Sequence, residues 1–282
     1  MTTATDWAGV LAADCAVPAD RPLTELLDEL CAMLAAPEPE VRDDTAYPVL
    51  ALWTARGVLD GRLDVLGDRL VERLGHDDIQ ARTFAALVLA WVVLRDAVTR
   101  ELPDERVPRW LAGFTAWYRD ETDLRGYDDR LGWLHAVAHG ADAVRAFGRS
   151  PRLGVPHLRG LLDLTVDRLL ADAGYLYAHG EDDRIGYALA TVLHRPELTV
   201  PDATGWLDRL SAAIAAGAPG PVPAWASNAL RSLAALYVFT DRGVCWYDPR
   251  TGDLGPAVAV PHVAAVRDAV AAVLRLPWRG LG

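Results

Sequence analysis

Apolar residues recur at three- and four-residue spacing in segment after segment of this 282-residue chain, with turn residues between. A chain written this way presents one apolar stripe per segment, and such stripes are covered by packing helix on helix. The spacing predicts helices over about residues 5–15, 22–35, 42–56, 63–73, 78–98, 107–119, 130–147, 157–172, 184–194, 204–216, 224–240 and 262–275. The stretches "RGVLDG", "LGHDD", "LPDERVP", "RGYDD", "GRSPRLGVP" and "HRPELTVP" stop them, each supplying Gly, Pro or Asp. About a dozen short helices with short connections make an all-α fold. Successive antiparallel pairs suggest a HEAT- or armadillo-like stack in one domain, residues 1–282, although no exact period is visible. The connector "GAPGPVPAW" sets off residues from about 218 as a C-terminal cap.

Two segments stand apart from that pattern. Thr83 to Leu94, "TFAALVLAWVVL", is apolar all round and reads as a central buried helix, too short to cross a bilayer. Arg82 precedes it at a helix N-terminus, where a cation is disfavoured unless an acid compensates. Residues 243–260 carry β-formers around the turn sequence Asp248-Pro249-Arg250-Thr251-Gly252 and read as a small hairpin.

Composition narrows the function. All 28 basic residues are arginine, so Schiff-base chemistry, lysine-anchored pyridoxal phosphate and a P-loop nucleotide site are excluded. No GxSxG elbow or strand-linked GxGxxG is present. A net charge of -11 disfavours nucleic acid as a partner. Neither a membrane span nor a secretory signal is visible, which leaves a cytoplasmic location by default. Cys15, Cys31 and Cys245 lack CxxC spacing and read as core residues, and the tryptophans Trp53, Trp91 and Trp117 as apolar helix faces. The partner left by this elimination is a small molecule or another protein.

Function therefore rests on Asp, Glu, His, Arg and Tyr, and one stretch concentrates them. In "GWLHAVAHGAD", residues 132–142, a helix places His135, His139 and Asp142 in a stripe about 60° wide, with small and apolar residues around the rest. Gly132, Ala136 and Gly140 border it, and two glycines inside a helix suggest close approach by a neighbour. Glu121, Asp123, Arg125 and Tyr127 stand in the preceding "YRDETDLRGYDDR". Arg184 stands in "YAHGEDDR" with His179, and Arg82 in "ARTF".

The segments "RDDTAY" (42–47), "RTF" (82–84), "YRDETDLRGY" (118–127), "GWLHAVAHGAD" and "YAHGEDDR" (177–184) together resemble successive motifs of an uncharacterised bacterial domain family of unknown function, marked by GWxHAxAHGAD. The resemblance spans about residues 40–190, and residues beyond about 200 carry little of it. It implies an all-helical, repeat-like protein and no defined activity. Its polar signature falls on Arg82, Glu121, Asp123, Arg125, His135, His139, Asp142 and Arg184. Thr83 stands where the family pattern has serine, which keeps a hydroxyl.

Three readings fit these residues. In the first, His135, His139 and Asp142 form a His/His/carboxylate metal set, with Glu121 or Asp123 orienting a ligand or acting as general base on metal-bound water. The second is a metal-free pocket in which Arg82, Arg125 and Arg184 hold a polar or anionic molecule, Tyr118, Tyr127, Tyr177 and Trp133 form walls, and His139 is the best candidate for acid–base work. In the third the cluster is structural, tying helices together in a non-catalytic interaction scaffold.

Overall fold

The computed structural model describes residues 5–171, 174–217, 220–248 and 253–277, and the fold is all-α. The helices are α1 (Trp7–Ala12), α2 (Leu23–Met33), α3 (Pro39–Val41), a π-helical turn (Arg42–Ala46), α4 (Tyr47–Arg56), α5 (Leu63–Arg73), α6 (Ile79–Thr99) and α7 (Arg106–Asp120). After a short hairpin of β1 (Tyr127–Asp128) and β2 (Gly132–Trp133) come α8 (Ala136–Arg149), α9 (Val155–Leu170), α10 (Glu181–Leu193), α11 (Val200–Thr204), α12 (Leu207–Ala215) and α13 (Ala224–Arg242). A second hairpin, β3 (Tyr247–Asp248) and β4 (Asp253–Leu254), precedes α14 (Val263–Leu274). The C-terminal hairpin expected within 243–260 is therefore present. Its turn, Pro249 to Gly252, lies outside the described residues.

Alternate helices pack side by side in two rows. The first row runs α4, α6, α8, α10, α13 and the second α5, α7, α9, α12, with α14 closing against α11, α12 and α13. The segment expected as a cap thus continues the first row through α13. One buried apolar cluster extends from Trp7 to Val273, and α6 lies within it, with Ala85, Val88, Leu89, Val92 and Val93 fully buried, as its all-round apolar sequence requires. Cys15 and Cys31 are buried in that core, while Cys245 is half-buried.

Small residues set the spacing in the first row. At Gly140 in α8 a Cβ would collide with the ring of Tyr118, so the close approach expected from the sequence comes from an aromatic face. At Gly186 in α10 a Cβ would stand 2.8 Å from the backbone nitrogen of Leu236 in α13, so these two helices meet backbone to backbone. Among the described residues no helix is long and apolar enough to cross a membrane.

Candidate functional site

The helix expected over residues 130–147 starts later. Residues 127–133 form the first hairpin, with Tyr127 opposite Trp133 and Asp128 opposite Gly132. Asp128 accepts the backbone N–H groups of Arg130 and Leu131, and Gly132 takes a left-handed φ of 71°. These are turn features, and they compete with helix for the same backbone groups. Arg42 completes the override: wholly buried, it donates from Nη2 to the carbonyls of Leu131 at 2.6 Å and Trp133 at 3.4 Å, from 89 residues away in the first case. His135 caps α8 at φ 50°, ψ 34°, a left-handed conformation costly for a residue with a Cβ. The two histidines therefore do not share a helix face, although the backbone N–H of His139 does bond to the carbonyl of His135 at 2.8 Å.

Their rings still meet, with centroids 5.4 Å apart. His135 lies flat on the Trp133 indole at 4.4 Å, and His139 meets Phe84 of α6 edge-on at 4.9 Å. Both imidazoles are buried, at 7% and 3% exposure, and the Nδ1 atom of each has no hydrogen-bond partner. Burial first, then the charge of Arg184 and the neighbouring His179, pushes His135 down to about 4. Burial, then His135 and Arg184, drives His139 well below the usual range. Both rings are neutral at pH 7, which makes them hydrogen-bonding groups; a base that weak transfers protons poorly near neutrality.

Around them stand groups from four elements. Asp142 in α8 is held by Arg184 of α10 at 2.5 Å, with Arg145 at 3.9 Å. Trp133, 42% exposed, meets Tyr127, 44% exposed, and His179 edge-to-face, and the three rings form an aromatic rim at the surface. Arg184 has 41% of its side chain exposed. Asp43, from the π-helical turn, accepts the Arg42 Nε–H on Oδ1 at 2.7 Å, and its Oδ2 is buried. Burial raises its carboxyl despite that arginine. Asp43 and Phe84 lay in motif segments whose packing could not be read without the tertiary contact. Tyr118 and Tyr177, expected as walls, are buried; the Tyr118 hydroxyl donates to the Val137 carbonyl at 3.0 Å.

The other expected residues gather elsewhere. Arg82 forks onto Glu121, Nε to Oε2 at 2.8 Å and Nη2 to Oε1 at 3.1 Å, which supplies the compensating acid that its helix-terminal position requires. Glu121 also accepts the Trp117 indole N–H and the backbone N–H groups of Thr122 and Asp123, each at 3.0 Å. Burial raises its carboxyl, but Arg82 and these donors outweigh it and hold it below the usual carboxylate range. Asp123 and Arg125 pair with each other at 2.7 Å, and Arg125 also reaches Asp128 at 2.7 Å. Two residues apart on α6, Arg82 and Phe84 point about 200° away from each other, so "RTF" serves both regions.

The structure thus brings His135, His139, Asp142, Arg184, Trp133 and Tyr127 together, while Arg82 is engaged by Glu121 and Arg125 by Asp123 and Asp128. Among the described residues no group of three or more His, Cys, Asp or Glu side chains is arranged to hold a metal ion. The set His135, His139 and Asp142 fails to converge, with the Asp142 carboxylate turned to Arg184 and Arg145.

The profile of a family described as protein of unknown function (DUF2785) matches residues 70–238, more than half of the chain, and the chain belongs to that family. The match begins after "RDDTAY" and runs through most of α13, further than the sequence motifs reach. No curated protein and no solved structure matches the chain.

Proposed function

We propose that the chain binds a small polar or anionic molecule at His135, His139 and Arg184, reached past Trp133 and His179. The observation that carries this reading is the pair of buried Nδ1 atoms without partners. An unsatisfied buried polar atom costs on the order of 1–3 kcal/mol, and a ligand group hydrogen-bonded to both rings would offset that cost. The left-handed backbone at His135 adds strain of about 1–3 kcal/mol at the same point, a combination typical of functional sites. Arg184, half-exposed beside the rings, supplies the positive charge that favours an anionic group.

With both rings neutral, the unliganded site is one of recognition; a bound anion would raise the His135 pKa towards neutrality and so make it a usable acid. The layering of alternate helices in two rows supports the repeat-like reading of the scaffold. A structural role is favoured only for Glu121 and Arg82, whose bonds are complete.

A thermal-shift screen of small carboxylates, phosphates and polyols tests the proposal on wild type and His135→Asn. Asparagine tolerates the left-handed backbone but removes the imidazole. The expected result is a ligand that stabilises wild type, by about 2.7 kcal/mol at a hundredfold excess over Kd, and leaves the variant unmoved. The reading is overturned if no compound separates the two proteins.

A further inference from the structure

One helix carries a second group of cations. Arg149 ends α8, about 20 Å along the helix from His135. It stacks over Trp246, with its guanidinium carbon 4.4 Å from the ring centroid. Among the described residues it has neither an acid partner nor a hydrogen-bond acceptor. One turn earlier Arg145 lies over the Tyr187 ring at 5.6 Å, its Nε buried and without an acceptor, and its acid, Asp142, stands off at 3.9 Å and is shared with Arg184. Two half-buried cations on adjacent turns repel each other, and burial and that repulsion weaken the basicity of Arg149. An arginine nevertheless stays charged, so the repulsion persists until an anion relieves it.

Arg149 faces a cavity of about 520 Å³, a volume that holds a small organic molecule. Trp91 from α6 and Trp246 from the C-terminal hairpin line it, with Arg95 and Arg100 at the end of α6. Arg95 is engaged by Asp60, and Asp248 is the one acid among the described lining residues. Two indoles supply flat apolar surface, and Arg149 supplies a fork for an oxyanion next to one of them.

We propose that this cavity is a binding site for a small planar organic anion, a ring bearing a carboxylate or phosphate, with Arg149 receiving the anion and Trp91 and Trp246 the ring. It is separate from the histidine site and does not depend on the reading given for it.

The test is calorimetric titration of the full chain with 1-naphthoate, its neutral analogue 1-naphthylmethanol, and inorganic phosphate. One molecule of 1-naphthoate per chain is expected to bind at least tenfold more tightly than either of the others. Arg149→Gln and Trp246→Leu should each weaken it tenfold or more, while His135→Asn, which alters the histidine site, leaves it unchanged. Arg149→Lys keeps the charge, loses the fork and should bind with intermediate affinity; it carries the test if the glutamine variant does not fold. The proposal is overturned if 1-naphthoate does not bind wild type, binds the Arg149 variants within twofold of wild type, or is matched by the neutral analogue. Equal affinity for inorganic phosphate would overturn the ring's part in recognition.

Discussion

Glu121 and the His135–His139 pair come from adjacent motifs and are buried to a similar degree, yet the hydrogen bonding of one is complete and that of the other is not. Glu121 receives five hydrogen bonds from Arg82, Trp117 and the backbone of Thr122 and Asp123. Each of the two imidazoles keeps a buried Nδ1 without a hydrogen-bond partner. Burial of a polar residue therefore does not distinguish a structural node from a binding site. The two differ in satisfaction: a network with every donor and acceptor used has no capacity left for a ligand, whereas one with spare valence has room for a further hydrogen bond.

The sharpest break of this comparison is Glu121→Ala. It leaves Arg82 and three other donors without their acceptor, and the expected loss is about 3 kcal/mol, or roughly 6–12 °C in melting temperature. Chemical denaturation measures it, and a loss below about 1 kcal/mol would place Glu121 outside the structural class. Next comes acid. His135 titrates near 4 in the folded chain and near 6.5 unfolded, so the unfolded state binds the proton first and stability falls as pH drops through that window. Relative to His135→Asn, wild type should lose about 2–3 kcal/mol between pH 7 and pH 4; parallel pH profiles would show that the ring is not held neutral by the fold.

Smaller effects sharpen the same contrast. Arg184→Gln removes a half-exposed ion pair, expected to cost less than about 1 kcal/mol, and should raise the His135 pKa, because a facing cation is gone. An NMR titration of His135 reads that shift, and an unmoved or lowered pKa would separate Arg184 from the site. Arg125→Ala should stay within about 1 kcal/mol of wild type in stability and leave ligand shifts unchanged, since Arg125 is itself half-exposed.

Much of this was legible in the sequence, for identifiable reasons. The all-round apolar character of Thr83 to Leu94 placed α6 in the core, and Arg82 at its start demanded an acid, which is Glu121. The pairing of Asp142 with Arg184 followed the expected mixture of acids and arginines. The helix expected from residue 130 starts at Ala136 instead, because HxxxH spacing is compelling locally while residues 130–133 belong to the hairpin. The signal against it was present: "GYDDRLGW" sets β-formers around Asp-Asp and brackets them with glycines. What no local rule contains is Arg42, whose bonds to the Leu131 and Trp133 carbonyls come from 89 and 91 residues away. Trp53 and Trp117 are core as expected, while Trp91 is half-buried on the wall of the cavity.

That long-range arginine also bears on how the protein is made and cut. Arg42 precedes Leu131 by 89 residues, so the side chain that holds the hairpin is synthesised well before it. The family match opens at residue 70, and a fragment trimmed to it would retain "GWLHAVAHGAD" but lose the guanidinium that bends its first residues away from helix. Such a fragment would be free to extend α8 backwards through Trp133, turning His135 onto the helix face that its sequence alone suggests.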